Sequence, residues 1–179
     1  MGMDHVQRDI QPIQKENIMK INFALIIVLA GITTALTMVV RIPIPATEGY
    51  LNLGDMAVVF CGLLIGSRWG LLAGAIGSAT ADLIGGFFIF IPITFFAKGL
   101  EAYIAGTLGK KNPYWLGLAG IAMVCVYFIA ELFLPNMGFA AAVTELPFNV
   151  VQAFIGAIGG WAVYKGVIIA FPKPPSNKV

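Results

Sequence analysis

Ionisable and amide side chains are scarce in this chain, and those inside its apolar stretches recur at helical spacing. Glu145, Asn149 and Gln152 follow i, i+4, i+7, which puts all three on one face of a helix as a polar stripe. Tyr127 and Glu131 stand one turn apart. Lys98 and Glu101 are i, i+3 neighbours. Asp82 precedes them across an apolar stretch broken by Gly85-Gly86 and Pro92. A polar stripe on an apolar helix needs a partner in protein, water or ligand, and ionisable groups near a bilayer core face an interior or a wet cavity. The chemistry this suggests is capture of a small polar solute. Catalysis has little support: the single histidine, His5, lies in a polar N-terminal tail, and the apolar part carries neither an HExxH motif nor a cysteine–histidine pair.

Two readings of the charged groups stay open at this level. Asp82 and Lys98, with Glu101, form either a buried ionic lock between the third and fourth helices or part of a pocket. Asp55, just after Gly54, is first of all a charge well placed in the opening turn of a helix. Cys61 and Cys125 have no metal or redox spacing and are expected to be small buried hydrophobes. Gly109-Lys110-Lys111 is not a nucleotide loop, because Ile104 stands where the first glycine is required and Lys111 where Ser or Thr is. No cofactor, metal or nucleic-acid partner is expected.

The elements that must position these groups are membrane helices. Of 179 residues, 59% are hydrophobic and 11% charged, with a mean hydropathy of +0.88. Soluble domains carry about twice that share of charge. Apolar runs extend over 21–40, 54–65, 70–84, 91–108, 115–134 and 142–169, which gives an all-α integral membrane protein of six spans. The second run reaches only ~18 Å, and the third is packed with small residues, as in a close helical hairpin. Between the first two runs, Arg41–Asn52 holds two prolines and a glycine and reads as a fixed, irregular loop offering Tyr50 and Asn52 as contacts. The expected division is a cytoplasmic tail at 1–20 without a signal-peptide pattern, a bundle at 21–170 and a second cytoplasmic tail at 171–179. All basic residues except Arg41 and Lys98 fall in the tails, the Arg68 turn, the Lys110-Lys111 loop or the end of the last run. The positive-inside rule therefore puts both termini in the cytoplasm and the polar cavity outside.

Such a chain is either a self-sufficient small secondary transporter or channel, or a binding subunit that borrows energy from partners. Lone transporters usually show internal repeats, and none is evident here. The pattern Arg41-Ile-Pro-Ile-Pro, Gly49-Tyr-Leu-Asn-Leu-Gly-Asp55, Gly77-Ser-Ala-Thr-Ala-Asp82-Leu-Ile-Gly-Gly86 and Pro92-Ile-Thr-Phe-Phe-Ala-Lys98-Gly-Leu-Glu101 resembles the substrate-binding S components of energy-coupling factor (ECF) vitamin transporters. The similarity runs from Asn22 to Lys165 and leans towards members assigned to hydroxymethylpyrimidine or pyridoxine-like vitamins. It implies a six-helix bundle in a prokaryotic cell membrane, docked on a transmembrane coupling (T) subunit that two cytoplasmic ATPases drive. It also implies a docking stripe of small residues on the first helix, here Gly31 and Ala35 or Ala30 and Thr34. The ligand is then expected at the outer ends of helices four to six, beneath the Ile42–Asn52 loop. Glu101, Glu131, Glu145, Asn149 and Gln152 are its candidate hydrogen-bonding groups, and Tyr127 and Phe148 its stacking faces. Lys98, already beside carboxylates, is poor provision for a phosphate, so an unphosphorylated vitamin is expected.

Overall fold

A computed structural model of the protein describes residues 23–45, 47, 49–135 and 137–171. Apart from Phe171, the two tails expected at 1–20 and 171–179, with His5, lie outside the described residues. Six α-helices account for most of the rest: α1 (Phe23–Val39), α2 (Gly54–Ile65), α3 (Ser67–Gly85), α4 (Ile91–Ile104), α5 (Leu116–Phe133) and α6 (Phe139–Ala170). A π-helical turn, Ala105–Gly109, prolongs α4, and a 3-10 turn, Pro113–Trp115, leads into α5.

The segment expected to be irregular instead contains a two-stranded antiparallel hairpin. Strand β1 (Arg41–Pro43) pairs with β2 (Tyr50–Asn52), Arg41 opposite Asn52 and Pro43 opposite Tyr50. A ribbon of two strands has only edges, so Pro43 costs it no interior ladder bond. The turn expected at 66–69 shrinks to Gly66, whose φ of 88° any other residue would adopt only with strain. Ser67, Arg68 and Trp69 already belong to α3.

Helices α2, α3, α4, α5 and α6 form a closed ring in that order, with α6 returning onto α2, and α2 also touches α4 across it. Helix α1 lies outside the ring, where Ile26 and Leu29 pack with Cys61 of α2 and Ala73 of α3. One end of the bundle, here the hairpin end, carries β1–β2 and the α3–α4 and α5–α6 turns. The opposite, basic end carries the α2–α3 and α4–α5 turns with Arg68, Lys110 and Lys111.

Backbones touch at the basic end. A Cβ on Gly70 would come within 2.6 Å of the Gly62 Cα, so α2 and α3 can cross this closely only as glycine on glycine. Towards the hairpin end, Gly156 seats α6 on Asp55 of α2, where an added Cβ would come within 2.5 Å of the Asp55 Cβ.

The outer surface is apolar: Ile27, Val39, Phe96, Ile121, Phe133 and Phe154 are all exposed. Cys125 is exposed too, so it faces outward rather than being buried as expected, while Cys61 is buried. Buried charge and amide lie inside, the reverse of a water-soluble domain. Among the described residues, two helices are long and apolar enough on their own to cross a membrane, Pro113–Phe133 and Phe139–Ala170; Phe23–Val39 and Gly54–Ile65 are shorter apolar helices. The six expected helices are present but unequal, and α2 is the short one, as its run indicates.

Candidate ligand site beneath the hairpin

Four helices of the ring send polar side chains into one enclosed space at the hairpin end. Ser78 and Asp82 come from α3, Thr94 and Lys98 from α4, Tyr127 from α5, and Glu145, Asn149 and Gln152 from α6. Gly49, Tyr50 and Asn52 close it from the hairpin side, and Phe90 and Thr37 complete the wall. The space measures ≈ 40 Å³, enough for about three water molecules. Ligand sites usually run to ~300–1,000 Å³, so a bound solute requires the walls to part. An open depression of ≈ 560 Å³ lies outside it and shares Gly49, Tyr50 and Phe90 with the inner space.

Tyr50 forms the partition between the two. Its hydroxyl donates to Asp82 Oδ1 at 2.6 Å, its ring lies 4.6 Å from that of Phe87, and the Arg41 guanidinium sits 5.0 Å above it. Burial first, and the charge of Asp82 next, raise its pKa above the ordinary tyrosine value, so this phenol remains a donor. The hairpin is tied down at its other side. Gln152 Oε1 accepts from the Asn52 amide at 2.9 Å, and Asn52 Oδ1 accepts from the Gly54 amide at 2.8 Å, which anchors the start of α2. Gly49 rests on the Glu145 carboxylate so closely that a Cβ there would overlap it.

The charged groups do not pair as their spacing suggests. Lys98 forms its ion pair with Asp55 of α2, not with Asp82. Asp82, on the neighbouring helix α3, takes Tyr50 as its donor. The α3–α4 lock is thus replaced by an α2–α4 lock, and Asp82 is freed to line the cavity. Glu101, expected at the ligand, stands behind Lys98 at 4.0 Å, fully buried and outside the cavity wall. Glu131 is likewise set back, with Glu145 and Asn149 as its neighbours. Phe148 is half-buried and flanks the 145–149–152 stripe without reaching the cavity.

Tyr50, Asn52, Tyr127, Glu145, Asn149 and Gln152 all lie in the wall of this one space. Sequence reasoning misses Thr37, Gly49, Ser78, Phe90 and Thr94. Ser78 and Thr94 do carry a signal, because each precedes a charged cavity residue, Asp82 or Lys98, by one helical turn. Thr94 accepts from the Tyr127 hydroxyl at 2.9 Å, which fixes the phenol beside Lys98. The Lys98 ammonium in turn lies 5.3 Å from the Tyr127 ring centroid, within cation–π range.

On α1 the two candidate docking pairs separate cleanly. Ala30 is buried against Gly77 of α3, and Thr34 donates to the Gly77 carbonyl at 2.8 Å. Gly31 and Ala35 are exposed, and a Cβ on Gly31 would meet nothing within 4 Å.

Three comparisons bear on this arrangement. A protein of Pyrococcus woesei, described only as an uncharacterized protein in a gap 3′ region, is 41% identical over 133 residues, covering 71% of this chain and 88% of that one. The solved S component of a bacterial ECF transporter superposes with a TM-score of 0.72 over 87% of this chain and 99% of its own, at 19% identity, which establishes a shared fold. The family model described as ECF-type riboflavin transporter, S component, matches residues 17–168, nearly the whole chain. The chain belongs to this family of ECF S components, membrane-embedded subunits of vitamin transporters rather than enzymes.

Proposed function

We propose that this protein is the capture subunit of an ECF-type importer for a small, flat, unphosphorylated heteroaromatic vitamin of hydroxymethylpyrimidine or pyridoxine size. The observation that carries the reading is the convergence of six expected side chains, with Asp82 and Lys98, on one buried polar space beneath a closable hairpin. Hydroxyls, amides and carboxyls arranged around two tyrosines suit a ring bearing several hydrogen-bonding substituents. Leaving those groups unmatched is costly, which is how such a site discriminates.

In this reading all six helices are embedded in the bilayer, both termini are cytoplasmic and the hairpin end faces outside. The vitamin enters through the open depression, Tyr50 and the hairpin move aside, and the loaded subunit docks on a coupling subunit driven by two ATPases. The docking seam is Gly31 and Ala35, because Ala30 and Thr34 are already engaged with α3.

The test is native mass spectrometry of the detergent-purified chain against hydroxymethylpyrimidine, pyridoxine, thiamine and riboflavin. Retention of hydroxymethylpyrimidine or pyridoxine at one copy per chain is expected. Selective retention of riboflavin would overturn the small-vitamin reading and shift attention to the aromatic depression around Tyr50 and Phe87. Uptake by the lone chain in liposomes would overturn the capture-subunit reading in favour of a self-sufficient transporter.

A further inference from the structure

The walls of the inner cavity carry more acid than base. Asp55, Asp82, Glu101, Glu131 and Glu145 are each at least nine-tenths buried at the hairpin end, and the buried cation among them is Lys98. Asp55 holds that cation, with Glu101 on its far side. Two of the remaining carboxyls line the space itself, and each has an oxygen without a hydrogen-bond partner among the described residues: Asp82 Oδ2 and Glu145 Oε1. Glu131 stands behind this wall beside Glu145 and Asn149, which crowds a further carboxyl against it. Arg41 lies at the rim, where Nη2 donates to the Ala81 carbonyl at 2.9 Å and the guanidinium stacks on Tyr50 and Phe87.

A buried carboxyl with no donor is costly, and a phosphate or carboxylate brought beside it adds repulsion. An N–H group or a protonated nitrogen relieves the same cost, most effectively when the hydrogen bond is charge-assisted. Gln152 offers the complementary group. Its oxygen is occupied by Asn52, which leaves its NH₂ for an acceptor such as a ligand hydroxyl.

We infer that, among vitamins of this size, the cavity selects those that present an amino group or a protonated ring nitrogen to Asp82 and Glu145, and rejects those that present an anionic or purely acceptor edge there. The inference rests on the small-vitamin reading above and narrows its substrate class.

Isothermal titration on the full-length chain in detergent tests it with two matched pairs of ligands. One is 4-amino-5-hydroxymethyl-2-methylpyrimidine against its 4-hydroxy counterpart; the other is pyridoxamine against 4-pyridoxic acid. The amino member is expected to bind at least about tenfold tighter in whichever pair binds, because a site built for an N–H donor rejects analogues lacking one. Glu145→Gln, close in volume and able to donate as well as accept, is expected to shrink that ratio to about threefold or less while the disfavoured member still binds. Residual binding shows that the variant is folded. Equal affinities within a pair, or a ratio unchanged in both Glu145→Gln and Asp82→Asn, would overturn the inference and leave the small-vitamin reading standing. Failure of all four compounds to bind would overturn both.

Discussion

At the basic end, α2 and α3 meet backbone to backbone at Gly62 and Gly70, beside a cluster of Val59, Leu63, Ala105, Leu116 and Ala119. At the hairpin end the helices of the same ring are held apart by long polar side chains and enclose Asp82, Lys98, Glu145, Asn149 and Gln152. In lipid the first arrangement gains from close packing, whereas the second imposes a desolvation cost that only mutual pairing or a ligand offsets. The dry end therefore fixes the helix positions, and the polar end uses that rigidity to hold groups whose partners are incomplete. Stability and specificity are assigned to opposite ends of one bundle.

The contrast breaks most readily at Lys98. Lys98→Met leaves Asp55 and Glu101 buried without their cation and is expected to cost about 3–5 kcal/mol, read as a large fall in melting temperature in detergent. Adding Asp55→Leu removes the nearer of the two orphaned carboxyls and should recover part of that loss. A single variant that melts like the parent would mean that the α2–α4 ion pair does not hold the polar end together.

A packing change at the other end should separate the two properties. Gly70→Ala forces a methyl group against Gly62 Cα and the Cys61 carbonyl, 2.6 and 2.8 Å away, where no flexible side chain can yield. Overpacking of this kind costs about 1–3 kcal/mol. Ligand affinity, measured well below the melting temperature, is expected to stay at the parent value. A drop in affinity with unchanged melting would show that the dry end transmits to the site.

Smaller again is the effect of Tyr50→Phe, which removes the donor to Asp82 Oδ1. The loss is expected to be about 1 kcal/mol in thermal stability, with faster ligand exchange because the partition loses its latch. Slower exchange would show that Tyr50 does not close the inner space.

Periodicity reveals elements and faces well, which is why the helical runs and the 145–149–152 stripe are legible in the sequence itself. It does not reveal which helices become neighbours around a ring. Asp82 and Lys98 look like partners because they flank one turn, yet α2 reaches α4 across the ring and brings Asp55 to Lys98 first. Glu101 and Glu131 sit on the expected faces but one layer further back, a difference in depth that spacing cannot encode. The hairpin is hidden for another reason. Its strands are three residues each, and β1 ends in a proline, so they fall below the length at which alternation becomes visible.

Helix α1 repeats the comparison on a smaller scale, with a committed face and a free one a single residue apart in sequence. Ala30 and Thr34 close onto Gly77, so Ala30→Leu should destabilise the bundle by about 1–3 kcal/mol. Gly31 has open space beyond its Cα, so Gly31→Leu should change thermal stability by no more than about 0.5 kcal/mol and leave ligand binding to the isolated chain intact. A bulky side chain there would nevertheless keep another helix from approaching, because close contact in lipid depends on small residues along the seam. The expected outcome in cells with the coupling subunits is loss of vitamin uptake in Gly31→Leu despite normal amounts of folded, ligand-binding protein. Uptake at the parent level would place the seam on another face of the bundle, and a parallel loss of ligand binding would mean that α1 helps to shape the site rather than to dock it.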